Sequence, residues 1–579
     1  MLKKLKLLTL RLLRSQAQKR LLLLWTFLIF ILSVALIPTG LVEVKMLPGK
    51  NNDTFSIYID LPEGSSIEQT KKVCNCVANY IRPEKEVINA EVFLGMGSPM
   101  DFAGLIKGSG FKNSENVAET VINLTKKHDR DEPSYMMVNR LRPAIQSACE
   151  PVVEGALIKF VEPPAGPPTL AAVVAEVYGQ DAKGIRTMAK RVEDVFKKTE
   201  GLVDIDTIQD EIYEKFEVRV QSIKIARSGL NIEQVNQILY LAFEGMNIAI
   251  KNSKMYDDQI PIFLTLNPES KNFHSREKIA IENRLSSLKL MNQRGMMVPI
   301  TEVIEIVPVK SHPMIMSKNL HQMTNVVAET DLVSQVYPLM EARSKILDTF
   351  SDTFDISKIG LFDLELKDKE SGEIYQLLWD GEMKVTLDTF VDLGTAFIAA
   401  LILIFLLMVI YYKSFVLSGI ILLASFLSII GVIFGHYLVD LFTPNTFFLT
   451  ATSLIGFIAL IGISSRNSLL LIDFTKSLIH VERMGKKEAI AYATVTRATP
   501  ILLTAAAIIL ASTLLASDAV FGGLGVALIF GTIAGVISSL LVVPILMDMS
   551  NLNKHFHLDE EITQDERNLI HCEEEFSIN

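Results

Sequence analysis

The residues best placed to do chemistry are charged side chains inside an apolar stretch. Arg466 and Asn467 stand near the middle of Leu449–Phe474, which otherwise has the composition of a membrane-spanning helix, and Asp473 lies near one end. A charge in the hydrocarbon region costs about 2.5–3.5 kcal/mol on insertion scales, so it normally faces a protein interior and pairs with another group. We therefore treat Arg466 as a candidate functional residue.

The spacing of the polar residues predicts which of them share a helix face. Arg497 and Thr504, on the next apolar stretch, are seven residues apart, as are Arg466 and Asp473. Residues at this spacing lie on one face of a helix, so two neighbouring spans present cations and a hydroxyl to a common interior. For Arg497, snorkelling to the cytoplasmic interface is an equally open interpretation. We interpret Asp473 as an interfacial acid.

A deep cation needs a carboxylate partner, and the predicted spans have none near their centres. The acids closest to the spans lie toward their ends or in loops: Asp388, Asp392, Asp440, Asp518 and Asp548. We therefore expect the partner of Arg466 to be on another polypeptide.

Composition indicates a polytopic membrane protein in the lipid bilayer. The 579-residue chain is 49% hydrophobic and only 21% charged, and its apolar residues concentrate at 21–37 and from about 389 to 547. These stretches predict six spans, with a soluble α/β insertion between the first and the second. The net charge of -10 is not that of a nucleic-acid binder, so no nucleic-acid partner is expected.

The predicted fold class is a membrane α-helical protein of six spans with a large α/β insertion. Successive β-α-β patterns in the insertion are typical of split βαβ, ferredoxin-like units. The predicted segments are a basic amphipathic segment at 1–20; a first transmembrane helix at 21–39; a first unit at 41–165; a second unit at 166–222 and 311–382; a different pattern at 223–310; a five-helix region at 384–548; and an acidic tail at 549–579.

The distribution of basic residues predicts the orientation. The loop at Lys413 and the loop at 476–497 carry Lys and Arg, whereas the loops near Asp440 and Asp518 carry neither. The positive-inside rule then places both termini in the cytoplasm and the insertion outside. A signal peptide at 21–37 is the competing interpretation, but the apolar run is longer than a usual signal core.

The cysteines and methionines do not predict a metal site or a disulfide. Cys74 and Cys76 lie two apart on a predicted helix and point in different directions, so we interpret them as packing residues rather than a metal or disulfide site. With Cys149 and Cys572 they are the four cysteines, and no disulfide framework is evident. Several methionines are interpreted as packing residues rather than soft-metal ligands: Met96, Met100, Met136, Met137, Met291, Met296 and Met297.

Little else in the sequence predicts chemistry. His436 is alone on its apolar span and is interpreted as a packed or interfacial residue rather than a proton carrier. The chain has no P-loop, no Gly-rich nucleotide fingerprint after a strand and no HExxH, so neither ATP-driven transport nor a bound cofactor or metal is expected.

Several segments have the character of family motifs. The last three spans contain ATSLIGFIALIGISSRNSLLLIDF, RATPILLT and FGGLGVALIFGTIAGVISSLLVVPIL, and the insertion contains KMLPGKNNDTFSIYIDLPEGSSIEQT, PMDFAGL and PPAGPP. The first three resemble the last three spans of the resistance-nodulation-division efflux permeases, and the others resemble that family's second periplasmic loop. The resemblance covers nearly the whole chain, but only the C-terminal half of the family permease. It implies two porter subdomains of ferredoxin-like type, a docking subdomain at 223–310 inserted in the second, and six helices.

The same resemblance implies a proton relay. Arg466 stands where the family has a Lys that pairs with two aspartates of the N-terminal half, and Arg497 and Thr504 match further relay residues. Asn467 matches the residue beside that Lys, whereas Thr499 replaces a second basic residue. Arginine keeps the charge at position 466 but does not readily release a proton.

The function implied by the resemblance is secondary active transport rather than catalysis. The chain would be half of an inner-membrane, proton-driven antiporter that exports drugs or other amphipathic small molecules, with the proton gradient as its energy source. Its partners would be an N-terminal half bearing the relay aspartates, a periplasmic adaptor and an outer-membrane channel, in a trimeric assembly. A non-transporting product of a broken gene and a membrane-anchored binding or sensing protein are the alternatives.

Overall fold

A computed structural model describes residues 2–49, 51–99, 102–163, 166, 169–255, 258–271, 277–443, 446–518 and 520–550. Met100, Cys572, the acidic tail after residue 550 and four positions of the Pro-rich segment at 163–168 lie outside this description.

The N-terminal segment forms two helices, α1 (Leu2–Arg14) and α2 (Gln16–Ala35). Ser15 separates them because its backbone is extended and its side chain accepts a hydrogen bond from the Gln18 N–H, as an N-cap does. The spanning helix therefore begins before the predicted residue 21 and ends before residue 39. Leu13 of α1 is buried in the core of the helical bundle, so α1 packs against the bundle.

The first soluble unit is a four-stranded antiparallel sheet with helices on one face. Its elements are β1 (Thr54–Asp60), α3 (Ile67–Ile81), β2 (Val87–Met96), α4 (Phe102–Lys107), β3 (Asn113–Leu124), α5 (Ser134–Cys149) and β4 (Leu157–Val161). The strand order is β2-β3-β1-β4. Alternation along β1 buries Phe55, Ile57 and Ile59 with α3 and α5, and places Tyr58 and Asp60 on the helix-free face.

Cys76 and Cys149 form a disulfide, so the packing interpretation of Cys76 is wrong. The two residues are 73 positions apart in sequence, but α3 and α5 lie side by side on the sheet and bring their Cα atoms to 5.7 Å. The pairing depends on this helix packing, which the cysteine spacing does not reveal. Cys74 is a buried free thiol, and burial raises its pKa to about 12.

We expect this disulfide to be a main source of stability for the first unit. The double variant Cys76→Ser/Cys149→Ser should lose on the order of 4 kcal/mol, because the bridge closes a long loop and restricts the unfolded chain. Limited proteolysis of the purified chain in denaturant measures the loss. Dithiothreitol should destabilise the wild type to the same level and leave the variant unchanged. Equal protease resistance of variant and wild type would contradict the prediction.

The second unit begins with β5 (Val173–Tyr178), α6 (Ala182–Phe196) and β6 (Leu202–Ile208), and is then interrupted by an insertion. The insertion comprises β7 (Glu214–Val220), α7 (Ser222–Ser228), α8 (Ile232–Phe243), β8 (Met246–Lys251), β9 (Ile260–Leu264), α9 (Pro268–Lys271), α10 (Lys278–Leu285), β10 (Lys289–Met291), β11 (Met297–Pro299) and β12 (Ile304–Lys310). Because β7 pairs with β12 along its full length, the two connections form one stem. The insertion has its own core.

The chain then returns to the second unit. The returning elements are β13 (Ser317–Lys318), β14 (His321–Thr330), α11 (Val336–Phe350), β15 (Phe354–Ile359), β16 (Asp363–Asp368) and β17 (Ile374–Asp380). Strands β14, β5, β17, β16 and β15 are neighbours in that order, and β6 and β13 also pair with β14. The sequence prediction missed the last three strands, although Tyr375, Leu377 and Trp379 alternate inward as strand residues do.

Within the part of the chain that the structure describes, α2 and the remaining helices form six apolar segments long enough to span a membrane. They are α12 (Glu382–Tyr412), α13 (Phe415–Phe426), α14 (Ile429–Phe442), α15 (Ala451–His480), α16 (Lys486–Ala516), α17 (Gly522–Ile537) and α18 (Val543–Met549). Helices α13 and α14 form one span with a break, and a π-helical turn at Ser538–Val542 joins α17 to α18. Helix α16 begins eleven residues before the predicted start at Arg497, which shortens the loop after α15.

The centre of the bundle is formed by α14, α15 and α17, which approach closely. A Cβ at Gly431 would lie 2.1 Å from the Phe530 backbone carbonyl oxygen, so only glycine fits at this contact. Helix α12 is peripheral, and a single residue, Gly381, connects it to β17. The sheet of the second unit is thus joined directly to a membrane span.

Candidate functional site

Arg466 lies on the outward face of α15. The helix begins at Thr450, whose side chain accepts from the Ser453 N–H, and it buries Gly456, Leu460 and Leu471 in the bundle. Arg466 is exposed on the opposite face, together with Ala459, Gly462 and Leu470. No carboxylate of the described residues lies within ion-pair distance of Arg466. It therefore does not face an interior made by this chain, as the sequence had led us to expect, but a surface of it.

Arg497 is half-buried and packs against α15. Its guanidinium carbon lies 4.8 Å from the centre of the Phe474 ring, which is cation-π distance. Its Nε is buried and has no hydrogen-bond partner among the described residues. Thr504 lies seven residues, or about two helical turns, further along α16 and is exposed. Its hydroxyl donates to the Ile501 carbonyl oxygen at 3.0 Å. Arg497 of α16 thus contacts α15, the helix that carries Arg466, through the Phe474 ring.

The other polar residues of α15 are not paired with Arg466. Asn467 is buried, whereas Arg466 is exposed. Asp473 is half-buried, and its Oδ1 accepts a hydrogen bond from the Tyr412 hydroxyl at 2.7 Å, which links α15 to the end of α12. Thr499 is exposed on α16. Of the predicted relay residues, Arg466, Arg497 and Thr504 therefore reach the surface of the bundle.

His436 lies inside the bundle near the other end of α15. It is fully buried, and its Nδ1 donates to the Val432 carbonyl oxygen at 2.8 Å. Its Nε2 lies 2.8 Å from the Ser453 Oγ. Both ring nitrogens are thus occupied by α14 and α15, which fits a packed histidine.

Sequence reasoning missed a buried ion pair at the opposite end of the bundle. Lys19 Nζ pairs with Asp548 Oδ2, and the two side chains are only 1% and 3% exposed. Lys486 Nζ donates to the Asp548 carbonyl oxygen at 2.8 Å and to the Ser550 carbonyl oxygen at 2.6 Å. The pair fixes the start of α2 against the end of α18. The only signal in the sequence was that both charges were predicted at the same membrane face.

A cleft of about 820 Å³ lies between the helix-free face of the first soluble unit and the side of the second unit formed by β6 and α6. Strand β4 of the first unit and β6 of the second line it, and alternation places Asp204 and Asp206 on the cleft side of β6. Lys159 of β4 crosses to Asp206, with Nζ and Oδ2 2.6 Å apart. This contact could not be predicted from the sequence, because the two strands belong to different units.

The charges at the cleft shift one another's pKa values. Burial opposes ionisation of Asp60, but Lys159 and Lys112 outweigh it and hold its pKa well below the ordinary value. Burial likewise opposes the charge on Lys159, but Asp60 and Asp206 raise its pKa. For Lys112, burial outweighs Asp60, and its pKa is lowered. Asp60, Lys159 and Asp206 therefore form a charged chain across the cleft.

A smaller cavity of about 170 Å³ lies at the base of the two units, beside the start of α12. Glu162 lines it and accepts a hydrogen bond from the Ser134 hydroxyl at 3.2 Å. Burial raises the pKa of Glu162 to about 7, and the Ser134 hydroxyl, Arg142 and Lys45 offset only part of this effect. Glu162 thus titrates near neutral pH.

The raised pKa of Glu162 predicts a pH-dependent stability. Below about pH 4.5 the side chain is protonated whether the chain is folded or unfolded, so it has no effect. Between about pH 4.5 and 7 the unfolded chain ionises first, and native stability falls. Glu162→Gln should therefore match wild type at pH 4.5 and be more stable at pH 8, by on the order of 2 kcal/mol. Thermal melts across this range test it, with the exposed Glu68→Gln as control; parallel curves for Glu162→Gln and wild type would contradict it.

The fold and the site define a class of protein: a multi-pass membrane protein with two soluble α/β units above the bundle and a cation on a bundle surface. The family model described as AcrB/AcrD/AcrF matches residues 7–549. The chain belongs to this family, the resistance-nodulation-division permeases. Its members are transporters rather than enzymes and lie in the inner membrane with a periplasmic domain, so the soluble units are periplasmic.

Similar proteins are longer than this chain. The swarming motility protein SwrC of Bacillus subtilis (strain 168) is 26% identical over 385 residues, which are 64% of this chain and 32% of SwrC. Two crystal forms of a heavy metal efflux pump match with TM-scores of 0.67 and 0.68 at 18% identity, covering 94% of this chain and 51% of the pump. The chain thus spans about half the length of the solved structures and a third of the curated relative.

Proposed function

We propose that the chain is the C-terminal half of a proton-driven efflux permease and works with a separate N-terminal half. The observation that carries this proposal is Arg466, which is exposed on α15 without a carboxylate partner among the described residues. An unpaired arginine at this depth is costly in lipid, so a second protein surface with acidic groups should cover it. Arg497 and Thr504 would complete the relay on the neighbouring helix, with Asn467 beside Arg466.

A second copy of the chain fits the exposed face of α15 less well. It would bring another Arg466 to the same interface, and the described spans have no central carboxylate to neutralise either arginine. A half-permease with aspartates on a facing span supplies the missing charges.

The soluble units are proposed to be ferredoxin-like porter subdomains, with 223–310 as the docking subdomain. Their β-α-β-β-α-β order and the sheet order β2-β3-β1-β4 support this assignment for the first unit. Small molecules, such as drugs or other amphipathic compounds, would enter the cleft from the periplasm or the inner membrane. Because α12 follows β17 directly, movement of the spans would be transmitted to the second unit.

The proposed assembly is a trimer that binds a periplasmic adaptor and an outer-membrane channel. The β8–β9 hairpin supports contact with another protomer, because it exposes large apolar side chains that water does not favour. These are Ile248, Ile250, Ile262 and Phe263. The energy source is the proton gradient, without a cofactor, and both termini are cytoplasmic.

Copurification tests the proposal. The tagged full chain, extracted in mild detergent from its own host, should bring down a second six-span protein with aspartates on one span. Recovery of an active homo-oligomer alone would overturn the split-permease proposal. If the second protein is absent and the chain is inactive, a non-transporting product of a broken gene is the correct function class.

A further inference from the structure

Ion pairs join the two soluble units across the cleft. Lys107 Nζ lies 2.6 Å from Glu329 Oε1, Lys159 Nζ lies 2.6 Å from Asp206 Oδ2, and Arg142 Nε lies 3.1 Å from Asp204 Oδ2. In each pair the cation comes from the first unit and the carboxylate from the second. The side chains are between 1% and 26% exposed, so the pairs are largely shielded from water.

At these three pairs the cleft wall formed by the first unit is therefore cationic, and the wall formed by the second unit is acidic. On the first wall Lys112 adds a further cation, and Asp60 bridges it to Lys159. On the second wall Lys190 and Lys197 are already paired with Glu193 of their own helix, so they do not neutralise the acids that face the cleft. A ligand that binds at these pairs must take a place between the cations of the first unit and the carboxylates of the second.

This arrangement selects among ligand chemistries. A neutral apolar ligand in place of the Lys107–Glu329 contact would leave two shielded charges without their ion-pair partners, which costs several kcal/mol per group. Lys159 would keep Asp60 of its own unit but would lose Asp206. A ligand with a single charge would pair with the charged side chains of one wall and leave those of the other wall without partners. A group with both charges can replace the pairs on both sides at once.

We propose that the cleft takes a zwitterionic head group, whose anionic part binds Lys107 and Lys159 and whose cationic part binds Glu329 and Asp206. The inference rests on the proposed function and narrows its substrates to compounds with both charges. The same chemistry occurs in small soluble zwitterions and in amphiphiles with an alkyl tail. The ion pairs hold the two walls of the cleft together until such a group replaces them.

The experiment measures opening of the cleft in the purified full chain. Spin labels at Lys72→Cys and Lys183→Cys, exposed on α3 and α6, report the distance between the units by double electron-electron resonance. The probes are phosphocholine, dodecylphosphocholine below its micellar concentration, choline and inorganic phosphate, all at equal ionic strength in maltoside micelles. Phosphocholine should open the cleft at a concentration about tenfold below choline or phosphate, since it gains one more charged contact.

Dodecylphosphocholine distinguishes an amphiphile from a small soluble zwitterion as the ligand. A stronger effect of dodecylphosphocholine indicates an amphiphile, and an equal effect indicates a soluble zwitterion; both support the proposal. Equal opening by choline or phosphate alone, or no opening by any probe, would overturn it.

Charge variants test the ion pairs independently of any probe. Lys107→Glu should lengthen the distance between the labels, and Lys107→Glu/Glu329→Lys should restore it, because the swapped pair attracts again. Lys190→Gln, whose partner is on its own unit, should leave the distance unchanged. If Lys107→Glu has no effect, the pairs do not hold the cleft closed. These distances do not depend on transport or on a partner half, so failure here is distinguishable from failure of the split-permease proposal.

Discussion

Replacing Arg466 with alanine should reduce export to the background level of a deletion strain. The alanine removes the cation from the exposed face of α15, and the carboxylates of the proposed partner half are then buried without a counter-charge. Leaving such charges unpaired costs about 3–5 kcal/mol, enough to disable the relay or the interface that contains it. Arg466→Lys keeps the positive charge and should retain at least part of the activity.

A susceptibility panel measures this effect in a deletion strain that expresses the partner half. Leu470→Ala is the matched control, because it removes an uncharged side chain from the same exposed face one turn further along. The variant chains should be present in the membrane at equal amounts. Unchanged resistance with Arg466→Ala would instead favour a membrane-anchored binding or sensing protein that uses only its periplasmic units.

The second large effect is expected where the start of α2 meets the end of α18. Lys19→Met removes the ion-pair partner of Asp548, whose side chain is only 3% exposed, so the bundle should lose about 3–5 kcal/mol of stability. The double variant Lys19→Met/Asp548→Leu removes both charges and should recover most of this loss. Thermal unfolding of the purified chain in detergent, followed by size-exclusion chromatography, measures the difference.

The control for this experiment is Lys384→Met, which removes an exposed lysine at the start of α12. It should change the melting temperature little. If Lys19→Met is as stable as this control, the Lys19–Asp548 pair does not contribute to the bundle. If the double variant is no better than the single one, packing rather than charge accounts for the loss.

Hydropathy located the six spans because a membrane helix must be apolar over its whole length, a requirement that each segment meets by itself. Their ends were less predictable. Ser15 starts α2 through a local side-chain cap, and α16 continues through polar residues before Arg497 because α1 packs against it. In both cases a contact outside the apolar stretch decides where the helix begins.

Interactions between distant segments account for most of what the sequence did not show. The Cys76–Cys149 bridge and the Lys159–Asp206 pair depend on how helices and sheets pack, and no local pattern records that packing. The absence of a central carboxylate near Arg466, in contrast, is a property of composition. It was predictable from the sequence, although the outward direction of the side chain was not.

The outward position of Arg466 also has a consequence for the life of the chain in the cell. Before a partner covers it, the α15 face exposes a guanidinium at membrane depth, which is the kind of feature that membrane quality-control proteases can recognise. The abundance of the chain should then follow the supply of its partner. Synthesis of the two proteins in equal amounts would protect both, and excess chain would be degraded.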